Sequence, residues 1–149
     1  MIIKDTLINF NAFINDVYGT QIKISDILSK YSFSKEEIEN IKAERIEQLL
    51  DNIDFALKCK FVNSSNKLRL YQVICKRYGL FGSNKLTLRE IASDMGISHE
   101  RVRQLEEKAI KYLKPNKRGD FLSMAIVVSA CRVQNTDATA KLLNVDTEE

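Results

Sequence analysis

Within the six residues from His99 to Gln104 stand a histidine, a glutamate, two arginines and a glutamine. These side chains hydrogen-bond to the edges of nucleobases. An arginine fork bridges guanine O6 and N7, a glutamine amide bridges adenine N6 and N7, and a carboxylate accepts from cytosine N4. A helix through this stretch places Val102, Leu105, Ala109 and Leu113 on one apolar face. It places His99, Glu100, Arg103, Gln104, Glu107, Lys108 and Lys111 opposite. His99, Glu100, Arg103 and Gln104 lie at the N-terminal end, the part of a reading helix that points at base edges, and are the candidate base contacts. Lys108, Lys111 and Lys114 lie further along and are candidate phosphate contacts, which position a protein without specifying a sequence. The bland alternative is that any exposed helix carries such side chains. The surrounding pattern weighs against it.

That pattern is local. Thr87 and Glu90 are spaced as a capping box, so a helix starts after Thr87 and runs to about Met95. Gly96 supplies the positive φ of a tight turn. Ser98 caps a second helix, which runs to about Lys114 and stops before Pro115. Leu88, Ile91, Met95, Ile97, Val102 and Leu105 are placed to pack the two helices together, with Ala92 at their closest approach. This is the arithmetic of a helix-turn-helix over residues 87–114. Thr87 also lies where backbone N–H groups at a helix N-terminus can meet a phosphate.

The charge distribution agrees. The formal net charge is only +3, but residues 58–118 carry fifteen basic and five acidic side chains, a balance of +10. Residues 34–57 stand at −4 and residues 119–149 at −3. A basic middle between acidic flanks is the electrostatic footprint of a unit that binds double-stranded DNA.

Other chemistries find little support. No nucleophile–base pair, metal-ligand spacing or phosphate-binding glycine loop occurs, so no enzyme, catalytic residue, metal site or cofactor is expected. Cys59, Cys75 and Cys131 are odd in number and widely spaced. They are read as reduced thiols, mostly in the core of a cytoplasmic protein. No apolar run reaches 18 residues, and MIIKDTLINF lacks the features of a signal peptide, so no membrane segment is expected.

One proline, five glycines and helical spacing of the apolar residues predict an all-α fold. A first helix spans about 4–17, its apolar face made by Leu7, Ile8, Phe10, Phe13, Ile14 and Val17, and ends at Gly19. Residues 20–24 alternate like a short extended piece. Ser25 or Asp26 caps a short helix to Tyr31. Ser34 and Glu37 open a longer helix with the stripe Ile38, Ile41, Arg45/Ile46, Leu49, Ile53 and Leu57. A helix at about 67–78 ends at Gly79, and after a hinge at 115–119 Asp120 caps a helix, 121–132, that is apolar nearly all round. A short helix at about 137–144 precedes an acidic end. The division expected is a helical N-terminal module at 1–62, a helix-turn-helix domain at 63–118 and C-terminal helices at 119–149. The stripe of residues 34–57 and the apolar helix 121–132 offer surfaces for a homodimer or another partner. The alternative is that they cover each other within one chain.

The blocks Val73–Leu80, Leu86–Ala92 and Ile97–Lys114 resemble region 4 of the sigma-70 family of bacterial RNA polymerase sigma factors, over residues 67–115. The resemblance implies that Ile97–Lys114 holds the recognition helix for the minus-35 promoter element, with His99, Glu100, Arg103 and Gln104 at base-contacting positions. It implies phosphate contacts from Arg77, Thr87 and the Leu88 backbone. It gives Lys108 and Lys111 a phosphate-facing or activator-facing role, and docks the helix at about 67–78 on the flap of the polymerase β subunit. The family usually has arginine where His99 stands. Nothing in residues 1–60 resembles the region that melts the minus-10 element. The functions expected are a sequence-specific transcription regulator, a polymerase-binding or sigma-mimicking protein, or one subunit of a split sigma factor.

Overall fold

The computed structural model describes residues 3–39, 41, 43–62 and 65–133. The described residues form helices joined by turns, with no strand and one isolated bridge between Asn116 and Gly119. The helices are α1 (Ile3–Tyr18), α2 (Ile24–Lys30), α3 (Lys35–Glu39), α4 (Ala43–Phe61), α5 (Ser65–Tyr78), α6 (Leu88–Met95), α7 (His99–Leu113) and α8 (residues 121–133). One continuous cluster of buried apolar side chains runs through α1, α2, α4, α5, α6, α7 and α8.

α1 buries Phe10, Phe13, Ile14 and Val17 at the i, i+3, i+4, i+7 spacing of a core-facing stripe. Ile8, expected on that face, points outward and is 56% exposed, because it sits nearly half a turn from Phe10. The Gly19 N–H closes the helix on the Asn15 carbonyl at 2.8 Å. The segment before α2 is extended but pairs with no strand. Two asparagines of α1 take its donors: Asn15 Oδ1 accepts from Ile22 N–H at 2.7 Å and Asn11 Oδ1 from Ile24 N–H at 3.0 Å. The N-cap of α2 is Lys23, not Ser25 or Asp26. Asp26 lies in the first turn and reaches back to accept from Lys23 N–H at 2.9 Å.

The capping box at Ser34 forms as expected, with Glu37 N–H donating to Ser34 Oγ and Ser34 N–H to Glu37 Oε1. The single long helix does not. α3 stops at Glu39 and α4 starts at Ala43. A straight helix would hold Ile38 and Leu49 about 16 Å apart along its axis. With the break, Ile38, Ile41, Ile46 and Leu49 instead line one groove with Leu7, Ile24 and Leu28. Packing against α1 and α2 thus overrides a locally helical pattern. Beyond it, Leu49, Leu50, Ile53, Leu57 and Phe61 bury the inner face of α4 in the core.

Tyrosines tie the helices together. Tyr78 donates to Asp16 of α1, Tyr71 to Asp54 of α4, and Tyr18 to Asp120 at 2.6 Å at the start of α8. Burial, reinforced by the carboxylate partner, holds all three phenols above their ordinary titration range, so each stays a neutral donor. Asp120 caps α8 as expected, accepting from Ser123 N–H at 3.2 Å. α8 buries Leu122, Ala125, Ile126, Ala130 and Val133, but Met124 and Val128 stay exposed. Of the cysteines only Cys75 is buried, its thiol pushed up to about 12 by desolvation, while Cys131 is half-buried and Cys59 lies on the surface. The expected helix at 137–144 falls outside the described residues. No described helix is long and apolar enough to cross a membrane.

Two glycines test how tightly the parts are locked. Gly79 ends α5 at φ +66°, and a Cβ there would meet Asn9 Nδ2 at 3.0 Å and Lys85 Cβ and N at 3.1 Å. Gly96 has the same φ with nothing within 4 Å. Gly96→Ala should therefore cost about 1–2 kcal/mol from the left-handed backbone alone. Gly79→Ala should add an overpacking cost of roughly 1–3 kcal/mol. Urea denaturation of the two variants measures the difference. Equal losses would show that the contact between α1 and the α5 turn yields freely.

Candidate nucleic-acid interface

α7 is placed by short-range bonds that the sequence around it supplies. Thr87 Oγ1 accepts from Glu90 N–H at 3.2 Å, and Thr87 N–H donates to Glu90 Oε1 at 3.0 Å. That backbone bond holds the Glu90 carboxyl below its ordinary range, so the cap stays charged. Gly96 turns the chain at φ +66°, and Ile97 N–H closes on the Ala92 carbonyl at 3.1 Å. Ser98 Oγ then accepts from Arg101 N–H at 3.0 Å to start α7. Ile91, Val102, Leu105, Ala109 and Leu113 are buried between α6, α7 and the core, as the spacing predicts.

The opposite face of α7 is open. His99, Glu100 and Gln104 are exposed and Arg103 has 43% of its side chain exposed. The four lie on the first two turns, so one helix end presents them together. Arg103 is not idle. Its guanidinium donates to both oxygens of Glu100, at 3.0 and 3.1 Å from Nε, and also to Glu107. The hydrogen bonds to Glu100 raise the basicity of Arg103 and hold Glu100 below its ordinary range. Arg103 would have to leave these carboxylates to bond any ligand on this face, and Glu107 is exposed beside it. Glu107→Ala should raise affinity for any duplex a few-fold, since an exposed pair of this spacing contributes little and a repelling charge goes with it. Fluorescence anisotropy on unrelated duplexes checks this. Unchanged affinity would mean the Arg103–Glu107 pair does not compete with DNA.

Of the candidate phosphate contacts, Thr87, Lys108, Lys111 and Lys114 are exposed. Leu88 begins α6, where backbone N–H groups have no partner within the helix. Arg77 lies beside the start of α6. It pairs with Glu106 at 3.4 Å and donates to the Leu86 carbonyl at 3.4 Å, which ties α5 to α7 and to the strand-like approach to α6.

Lys108 and Lys111 belong to a cleft the sequence reading did not assemble. Lys67 and Arg69 from α5 and Arg101, Lys108 and Lys111 from α7 line about 520 Å³ of open space, floored by Leu70, Leu105 and Tyr112. Five cations face one another there and no carboxylate lines it. Lys67 is held in place, donating to the Tyr112 hydroxyl at 3.2 Å with its ammonium 4.3 Å from the ring centre. The Tyr112 hydroxyl in turn donates to the Lys60 carbonyl at 3.1 Å. The spacing of Arg101, Lys108 and Lys111 (i, i+7, i+10) does mark one helix side. Lys67 and Arg69 could be added only once α5 was known to lie beside α7.

Residues 69–114 match the family model for sigma-70, region 4. The chain is 42% identical over 59 residues to an RNA polymerase sigma factor, sigB, of Arabidopsis thaliana, which covers 40% of this chain and 10% of that protein. It is 49% identical over 43 residues to an RNA polymerase sigma-B factor of a Nostoc species, covering 29% of this chain and 13% of that one. The chain thus spans about a tenth of the length of these relatives. No solved structure matches it. The region-4 match covers α6, the turn and α7 together with most of α5, so it includes both the exposed N-terminal end of α7 and all of the cationic cleft except Lys67. This segment is a helix-turn-helix similar to sigma-70, region 4.

Proposed function

We propose that the chain is a sequence-specific transcription regulator that reads duplex DNA with α7 in the major groove. The observation that carries this is the arrangement along α7. Its N-terminal turns offer His99, Glu100, Arg103 and Gln104 to base edges, and its flank opens into a cleft lined by five cations. Base readers on a helix beside a cationic trough fit a groove and the backbone that borders it. In this reading Lys108, Lys111, Lys114 and Thr87 with the Leu88 backbone take phosphates, joined by Lys67, Arg69 and Arg101. Arg77, bonded to the residue before Thr87, joins them and also ties α5 to α7 through Glu106.

The test is Arg103→Ala on a preferred duplex and on a scrambled one. The preferred site should lose roughly 1–3 kcal/mol while the scrambled duplex changes little. Equal losses on both would remove base reading by Arg103.

A second reading rests on the relatives, both of which carry the name of RNA polymerase sigma factors. Here the region-4 unit contacts RNA polymerase, with α5 and its exposed Leu68 meeting the β-subunit flap. The chain then acts as a recruiter, a sigma mimic or one part of a split sigma factor. Tight binding to polymerase without DNA, together with a flat salt response on duplex alone, would favour this reading.

A further inference from the structure

Seven large apolar side chains are exposed among the described residues, and three of them, Phe55, Met124 and Val128, border one groove. Phe55 (65%) stands on the outer side of α4, Val62 (56%) just past its end, and Met124 (49%) and Val128 (43%) on the adjoining side of α8. Phe55, Met124 and Val128, with Ala56, Cys59 and Phe121, line a groove of about 330 Å³ between the two helices. A contiguous apolar patch of this kind marks a contact surface.

The pattern on α4 says what covers it. The outward residues Gln48, Asn52, Phe55, Cys59 and Val62 follow at intervals of four, three, four and three, the 3.5-residue repeat of a helix that pairs with another helix. The core-facing residues Leu49, Leu50, Ile53, Leu57 and Phe61 form a separate stripe, and the outer seam is polar at Gln48 and Asn52 and apolar from Phe55 on. The charges beside the outer seam change sign along it. Glu47 and Asp51 flank its first half and Lys58 its second, all exposed. A two-fold axis near Phe55 would run two copies of α4 antiparallel and set Asp51 of one opposite Lys58 of the other. The same axis would bring Phe55 of each copy to the groove of the other, against Met124 and Val128. A surface that complements itself in shape and in charge is the requirement for an isologous dimer.

We infer that α4 and α8 form the interface of a homodimer, centred on Phe55 and packed antiparallel. This surface differs from the stripe Ile38, Ile41, Ile46 and Leu49, which packs against α1 and α2 within one chain. The dimer leaves α7 of each copy free and would give DNA two reading helices related by two-fold symmetry.

Sedimentation equilibrium of the full chain without DNA tests this, so that failure of the dimer and failure of DNA binding are read separately. A dimer is expected to dominate between about 1 and about 100 µM. A single monomeric species across that range would overturn the proposal and leave the patch to a different protein. Phe55→Asp should raise the dimer dissociation constant by more than about tenfold. Its circular dichroism should stay unchanged, since the ring is mostly exposed. Should that variant lose its fold, the charge pair decides. Asp51→Lys and Lys58→Asp should each weaken the dimer, and the two together should restore it. Single variants that dimerise like the parent, or a double variant that fails to recover, would overturn the antiparallel register.

Discussion

Replacing Arg69, Arg101, Lys108 and Lys111 together by alanine is expected to reduce duplex binding on the order of 10²–10³-fold at physiological salt, about equally on every sequence. The four side chains line one cleft with no carboxylate among them. Each cation that neutralises a phosphate releases counterions. Losing four such contacts should reduce the slope of log affinity against log salt by about 3–4 units. Three of the four are exposed or edge residues of α7, and none lies in the buried cluster, so the fold should survive. Lys30→Ala on α2, an exposed cation outside the cleft, is the control and should bind like the parent. Anisotropy titrations across a salt series give both numbers. A loss confined to one preferred sequence would show that these cations read bases rather than hold the backbone.

The second large effect concerns the N-terminal segment. Phe13 is fully buried, with its ring 5.2 Å from Tyr78 of α5 and 5.9 Å from Phe10. α1 packs on both α5 and α7, the helices that carry the cationic cleft. Phe13→Ala should therefore cost about 3–5 kcal/mol. The loss should appear in the unfolding of the whole described core, helix-turn-helix included, as one transition. Ile8→Ala, on the exposed side of the same helix, should change stability by less than about 0.5 kcal/mol. Urea denaturation followed by circular dichroism and by DNA binding compares the two. If binding survived conditions that melt α1 in Phe13→Ala, the region-4 unit would be independent of the residues before it.

The helix-turn-helix was legible because its instructions are local. Thr87 with Glu90, Gly96 and Ser98 each act over three or four residues, and all form the bonds their spacing implies. The same holds for Ser34 with Glu37 and for Asp120. What escaped depends on distant partners. The break after Glu39 follows from where α1 and α2 receive Ile38, and no residue near Glu39 announces it. The cleft escaped because Lys67 and Arg69 lie more than thirty residues before Arg101 and face it only through the packing of α5 on α7. The pairing of Arg103 escaped for a different reason: Glu100 at i−3 and Glu107 at i+4 lie on its own helix, but the sequence reading assigns Glu100 to a base contact.

The most direct measurement of the central claim is selection of bound sequences from a random duplex pool by the full chain alone, repeated with RNA polymerase present. If α7 reads base edges with Glu100, Arg103 and Gln104, the chain alone should enrich a short contiguous motif, and Arg103→Ala should blur one or two of its positions. A pool left unchanged by the chain alone, with enrichment only when polymerase is added, would contradict an autonomous DNA reader.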